Sequence, residues 1–141
     1  MQVAHPILYR MRRLMLALSV LALAGAFSVS HIPADVMHDI KTPSDTSLHM
    51  SGFAILAGLF LLMLAAFNVR AMWRSLVVLA VMALYAAMDE RTQPLVNRVC
   101  DVRDWYADMA GSTIAVIVLG LLLRIFARRR ANRNRRLPIE T

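Results

Sequence analysis

The twenty residues DERTQPLVNRVCDVRDWYAD, Asp89 to Asp108, hold five of the nine acidic residues of a 141-residue chain and three of its sixteen basic ones. Within them Asp101, Asp104 and Asp108 fall at i, i+3 and i+7, which puts three carboxylates on one stripe of a helix. Arg98 lies on that stripe one turn earlier. Gly111 continues it and leaves room for a neighbouring helix to approach closely. Glu90 and Gln93, one turn apart, share a face of the preceding helix, which stops before Pro94. Stacked carboxylates repel one another unless a cation, a proton or an arginine sits among them. Arg98 is the arginine at hand.

A second polar group lies in KTPSDTSLHMSGF, Lys41 to Phe53. Thr42-Pro43-Ser44-Asp45 has the form of a helix start, with Thr42 as N-cap, Pro43 in the first turn and an acid three residues on. Asp45, His49 and Phe53 then recur every four residues on one face. His49 lies about one turn inside the helix, with Asp45 above it and placed to orient the imidazole. Together the two groups define a pocket of Asp45, His49, Glu90, Gln93, Arg98, Asp101, Asp104 and Asp108.

Such a pocket permits more than one chemistry. Glu90, Asp101 and Asp104 offer the oxygen ligands that a hard divalent cation takes, although nothing in the pattern requires a cofactor. Acid–base catalysis would fall to His49, Glu90 and Asp104. The plainer alternative is a salt-bridge and capping network that only ties helix ends together. His5, His31 and His38 have no comparable neighbours.

These residues need elements to position them, and the rest of the chain supplies apolar helices. The composition is 59% hydrophobic and 18% charged, oilier than a soluble domain. Leu14–Val29, Met50–Phe67, Ser75–Met88 and Met109–Leu123 contain no charge. A helix crosses a bilayer core with roughly 20 residues. The runs reach that length with their polar ends, the third by taking in Ala71, Met72 and Trp73. None keeps the polar face of a water-soluble bundle helix. The fold class is all-α, an integral membrane bundle of four transmembrane helices. The first run has an Arg-rich start and small residues at Ala22, Ala24 and Ala26, as a cleaved signal peptide would. Its apolar core is long for that role, and an uncleaved helix is favoured. Trp105 and Tyr106 suit an aromatic belt at the membrane surface.

Charge distribution orients the bundle. The N-terminal flank, the loop carrying Arg70 and Arg74, and the C-terminal tail together hold twelve of the sixteen basic residues, with Glu140 as their only acid. The two remaining loops carry four basic residues against eight acids. Basic loops stay in the cytoplasm, so both termini are expected there and both acidic loops outside. The expected organisation is a cytoplasmic flank over residues 1–13, a membrane domain over 14–127 and a basic tail over 128–141. Next to a membrane helix, the Arg-rich tail reads as a stop-transfer signal that attracts anionic lipids, not as a nucleic-acid site. The lone Cys100 excludes an internal disulfide.

The spaced polar residues resemble those of VanZ-like membrane proteins. Asp45-x-x-x-His49-x-x-x-Phe53 is similar to the D-K-x-x-H-x-x-x-Y start of that family. Tyr85, Glu90-x-x-Gln93, Arg98-x-x-Asp101-x-x-Asp104 and Asp108-x-x-Gly111 look like the second half of the pattern. The resemblance covers about Asp45 to Gly120. It departs at Thr46, where many members have Lys, at Phe53 in place of Tyr, and at Asp108, a position that is often Asn. The missing Lys and the extra acid make the pocket more negative and favour cation or proton binding over anion binding.

The resemblance implies a small helical membrane bundle and a link to low-level resistance to the glycopeptide teicoplanin; it does not supply a reaction. The leading expectation is a cell-envelope protein whose outward pocket binds a lipid headgroup, an envelope group or a glycopeptide-type ligand. A membrane enzyme acting on a lipid-linked envelope substrate is the alternative. A purely structural or assembly role is the third, and transport the weakest.

Overall fold

The computed structural model describes residues 6–33, 35–36 and 44–135. Among these are four long helices: α1 (Pro6–Ser30), α2 (Asp45–Ala66), α3 (Ala71–Thr92) and α4 (Val102–Arg135). All four are long and apolar enough to cross a membrane. At 1.5 Å per residue the 34 residues of α4 extend about 51 Å, well beyond a bilayer core of about 30 Å. Its last turns carry Arg124, Arg128, Arg129, Arg130, Arg133 and Arg135 away from the polar end of the bundle.

The ends of these helices follow local chemistry. Ser44 is the N-cap of α2, its hydroxyl accepting the Ser47 N–H at 3.3 Å. That corrects the expected Thr42 cap; Thr42, Pro43, His5 and His38 lie outside the described residues. Helix α3 ends at Thr92, as the Pro94 signal predicts, and continues into a 3₁₀ turn over Gln93–Val96. Asn97 then takes the left-handed conformation (φ 58°), which Asn tolerates better than most residues. Because of this reversal α4 begins only at Val102. Arg98 therefore sits in the non-helical link and not on the α4 stripe.

α2 and α4 make the most extensive contact in the bundle. They run in parallel, since Met50 meets Gly111 and, eight residues further along each helix, Gly58 meets Leu119. A Cβ on Gly111 would lie 2.0 Å from the Met50 carbonyl oxygen, and one on Gly58 would lie 3.0 Å from Leu119 Cδ1. Two glycines thus bring the backbones together, as small residues do between membrane helices. Phe53, Leu56, Ala57 and Leu61 of α2 form the core with Val78, Met82 and Ala86 of α3 and Val116 of α4. α1 packs on α2 and has few deeply buried residues of its own. Trp105, expected in a surface belt, instead donates its indole N–H to the Ala83 carbonyl of α3 at 3.3 Å. Tyr106 is exposed and edge-stacks on it.

Gly111→Ala forces α2 and α4 apart, because the clash is with backbone and no rotamer relieves it. Overpacking of this kind costs about 1–3 kcal/mol or more. The expected result is a Tm lower by several degrees in detergent. Gly120→Ala, on the same helix but with nothing within 4 Å of its Cβ, is neutral or gains up to about 1 kcal/mol.

Candidate functional site

The parallel register of α2 and α4 sets their first turns side by side and carries the polar residues of both to one end of the bundle. His49, buried in α2, places Nδ1 3.1 Å from Asp108 Oδ1 and 3.9 Å from Glu90 Oε1. Asp108 is fully buried on α4. One turn earlier on each helix, Thr46 donates its hydroxyl to Asp104 Oδ1 at 2.9 Å. Carboxylates in these first turns also lie at the positive ends of the helix dipoles.

The end of α3 closes the cluster. Glu90 accepts the Gln93 side-chain amide at 3.0 Å on one oxygen and the Asp101 backbone N–H at 3.0 Å on the other. Gln93 is buried and its amide also reaches Asp89 Oδ2 at 3.5 Å. Arg98 spans the mouth. Its guanidinium grips both oxygens of Asp45 and donates to the Ser30 carbonyl at 3.2 Å.

Of the eight residues expected in the pocket, His49, Glu90, Gln93, Asp104 and Asp108 come together in the interior, while Asp45 and Arg98 form its rim. Two expectations are corrected. Asp45 does not orient the imidazole, since Arg98 holds its carboxylate, and Asp108 takes that part. Asp101 does not turn its carboxylate inward. It accepts the Arg103 N–H at 2.8 Å, capping the start of α4, so Glu90, Asp101 and Asp104 are not a ligand set. The groups whose ligand atoms lie within 4.8 Å of one another are Asp45, His49 and Asp104, and His49, Asp89 and Glu90.

Several participants had no strong signal. Asp89 is buried beside Glu90 and accepts the Ser30 hydroxyl at 2.6 Å. Its i, i+4 spacing to Gln93 was the available clue. His31, whose partners lie mostly on another helix, stacks on Phe27 with ring centroids 3.9 Å apart. Its Nδ1 lies 2.9 Å from the Phe27 carbonyl and 3.7 Å from Asp89 Oδ1, and its Nε2 lies 2.9 Å from Thr92 Oγ1. Ser112, one turn beyond Asp108, is also buried. Asp108 Oδ2 and Ser112 Oγ have no hydrogen-bond partner among the described residues.

A cavity of about 80 Å³ opens between α1, α2 and α3. Ala26, Val29, Leu48, Phe53 and Tyr85 give it apolar walls, and Asp45, His49, Asp89 and Arg98 give it a charged side. Tyr85 points its hydroxyl away to the Leu23 carbonyl at 3.0 Å. Gly52 also lines the cavity, and a Cβ there would meet nothing within 4 Å. The cavity itself is mainly apolar, with the polar cluster set along one edge of it.

The His49–Asp108 contact predicts a coupling energy. His49→Gln and Asp108→Asn each leave a buried partner poorly satisfied, costing about 1–3 kcal/mol. Their effects combine non-additively, by about 0.5–3 kcal/mol, in denaturant unfolding in detergent. Simple additivity would mean that the two side chains do not touch.

No curated protein and no solved structure matches the chain. A family model described as VanZ/LLP1 matches residues 14–128, which take in most of all four helices and the whole polar cluster. By that match, with the polar pattern carried at one end of four membrane helices, the chain belongs to the VanZ/LLP1 family.

Proposed function

We propose that this protein is an envelope membrane protein that binds the polar head of an amphiphile at the cluster and part of its apolar body in the adjoining cavity. The mainly apolar cavity beside the polar cluster carries the reading. A purely structural network has no use for open space lined by Val29, Leu48 and Phe53 next to a charged rim. Lipid headgroups, lipid-linked envelope groups and glycopeptides with an apolar tail all present this combination. A link to glycopeptide susceptibility rests on such a ligand being sequestered or masked. The carboxylates select for a head with donors or cations of its own.

Within the same reading, the cluster faces outward and both termini lie in the cytoplasm, in keeping with the positive-inside distribution of charge. The exposed arginines at the end of α4 then meet anionic headgroups of the inner leaflet. A catalytic variant of the reading is favoured by one contact. A buried carboxylate that fixes an imidazole, as Asp108 does for His49, is the arrangement of a general base and its orienter. Turnover of an envelope lipid by the wild type, lost in His49→Gln, would establish it.

Gly52→Leu is the sharpest test of the cavity. It folds, since the space is open and glycine is the poorer helix former, and it fills the ligand's place. The expected result is at least a tenfold loss of co-purifying amphiphile by native mass spectrometry, about 1.4 kcal/mol in affinity, with Tm retained. Undiminished retention in that variant would sink the proposal. Orientation is tested on the native chain through Cys100, which is free and exposed. A membrane-impermeant maleimide labels it on intact cells; labelling only after permeabilisation would reverse the topology.

A further inference from the structure

We propose that His49, Asp89 and Glu90 bind a divalent first-row transition-metal ion on the charged side of the cavity. Their ligand atoms lie within 4.8 Å of one another. An ion bonded to nitrogen and oxygen at about 2.0–2.2 Å reaches all three once the side chains draw together around it. All three residues are buried. One imidazole with carboxylate oxygens suits zinc, manganese or iron better than calcium or magnesium, which prefer oxygen alone.

The surrounding residues orient these ligands as an outer shell does. His49 Nδ1 lies 3.1 Å from Asp108 Oδ1 and 3.9 Å from Glu90 Oε1, so Asp108 orients the imidazole beside the site, as carboxylates commonly do for metal-bound histidines. Ser30 fixes one oxygen of Asp89, while Gln93 and the Asp101 N–H fix Glu90. Each of these donors is neutral and leaves the carboxylate charge in place. The rival group of Asp45, His49 and Asp104 is the poorer choice, because Arg98 already holds Asp45 and that carboxylate is half exposed.

Two further observations point to a missing positive charge. Asp89, Glu90, Asp104 and Asp108 are all buried, and the imidazoles facing them are His49 and His31. Arg98 is committed to Asp45. With His49 neutral, as a metal ligand must be, these buried carboxylates outnumber the positive charges facing them in a site of low dielectric, which is expensive, and a divalent ion offsets two of the negative charges. Independently, Asp108 is fully buried with Oδ2 unpartnered. The cluster thus has more acceptor capacity than its own donors satisfy.

Both His49 and Asp89 line the cavity, so an open position on the ion faces a bound ligand and takes an oxygen of its head. Metal binding itself does not require the amphiphile. Measured on lipid-stripped protein in detergent, it is a test separate from that of the cavity. The protein is treated with chelator, reloaded with Mn²⁺ and studied by elemental analysis and electron spin echo spectroscopy. Expected are one ion per chain, a nitrogen coupling from the imidazole, and displacement by Zn²⁺. Glu90→Gln and Asp89→Asn lower the affinity at least tenfold. Asp35→Asn, which removes an exposed acid outside the cluster, leaves it unchanged. Absence of Mn²⁺ and Zn²⁺ binding, or binding without a nitrogen coupling, overturns the proposal. Binding that survives Glu90→Gln does the same. The wild-type spectrum decides even if a variant fails to fold.

Discussion

The approach of the Met50 carbonyl to the bare Cα of Gly111 sets the distance between α2 and α4, and the polar interior depends on that distance. Thr46 and Asp104, and one turn on His49 and Asp108, reach each other only because the two backbones lie close and in parallel register. Gly58 against Leu119 repeats the constraint eight residues deeper, where the contact is apolar. A single geometric condition therefore serves both halves of the interface. At one end it buries Phe53, Leu56 and Leu61; at the other it aligns hydrogen-bonding groups that a looser bundle would leave to water or lipid.

Buried charge is the second consequence of that geometry. Four carboxylates stand in the interior within a bundle of membrane helices, where an unpaired ion is costly. Neutral donors hold them in place: Ser30, Thr46, Gln93 and the N–H of Asp101. Thr46 is instructive, because the VanZ-like pattern often has Lys there. The Thr46 hydroxyl donates to Asp104 and brings no charge. The one guanidinium nearby is drawn to the rim by Asp45, so the interior retains its negative character.

Much of this was legible in the sequence. Four charge-free runs are enough to specify four membrane helices, since little else fits chains of that length and composition. The Asp104–Asp108–Gly111 spacing identified the face of α4 that meets α2, because carboxylates and a glycine at helical intervals have few other reasons to align. The same periodicity misled at Arg98, because one left-handed residue, Asn97, ends helical spacing and no count of intervals reveals it. Asp45 was assigned to the nearest titratable group in its own helix, whereas its partner is Arg98, 53 positions away. Asp89 and His31 were hidden for a related reason: their partners lie on another helix, and pattern within one segment carries no information about contacts between segments.

The attachment of α1 differs in kind from that of the other helices. It meets α3 through the Ser30–Asp89, His31–Thr92 and Tyr85–Leu23 hydrogen bonds, and Arg98 holds its final carbonyl. The main apolar core lies among α2, α3 and α4. Each of those bonds is worth about 0.5–1.5 kcal/mol net, so the α1 wall is the cheapest part of the cavity to displace. Regions with little buried area open locally while the rest of a protein stays folded. On the proposed reading, a ligand in the bilayer would reach the cavity by displacing α1, against its packing on α2 and these few hydrogen bonds, without unfolding of the rest of the bundle.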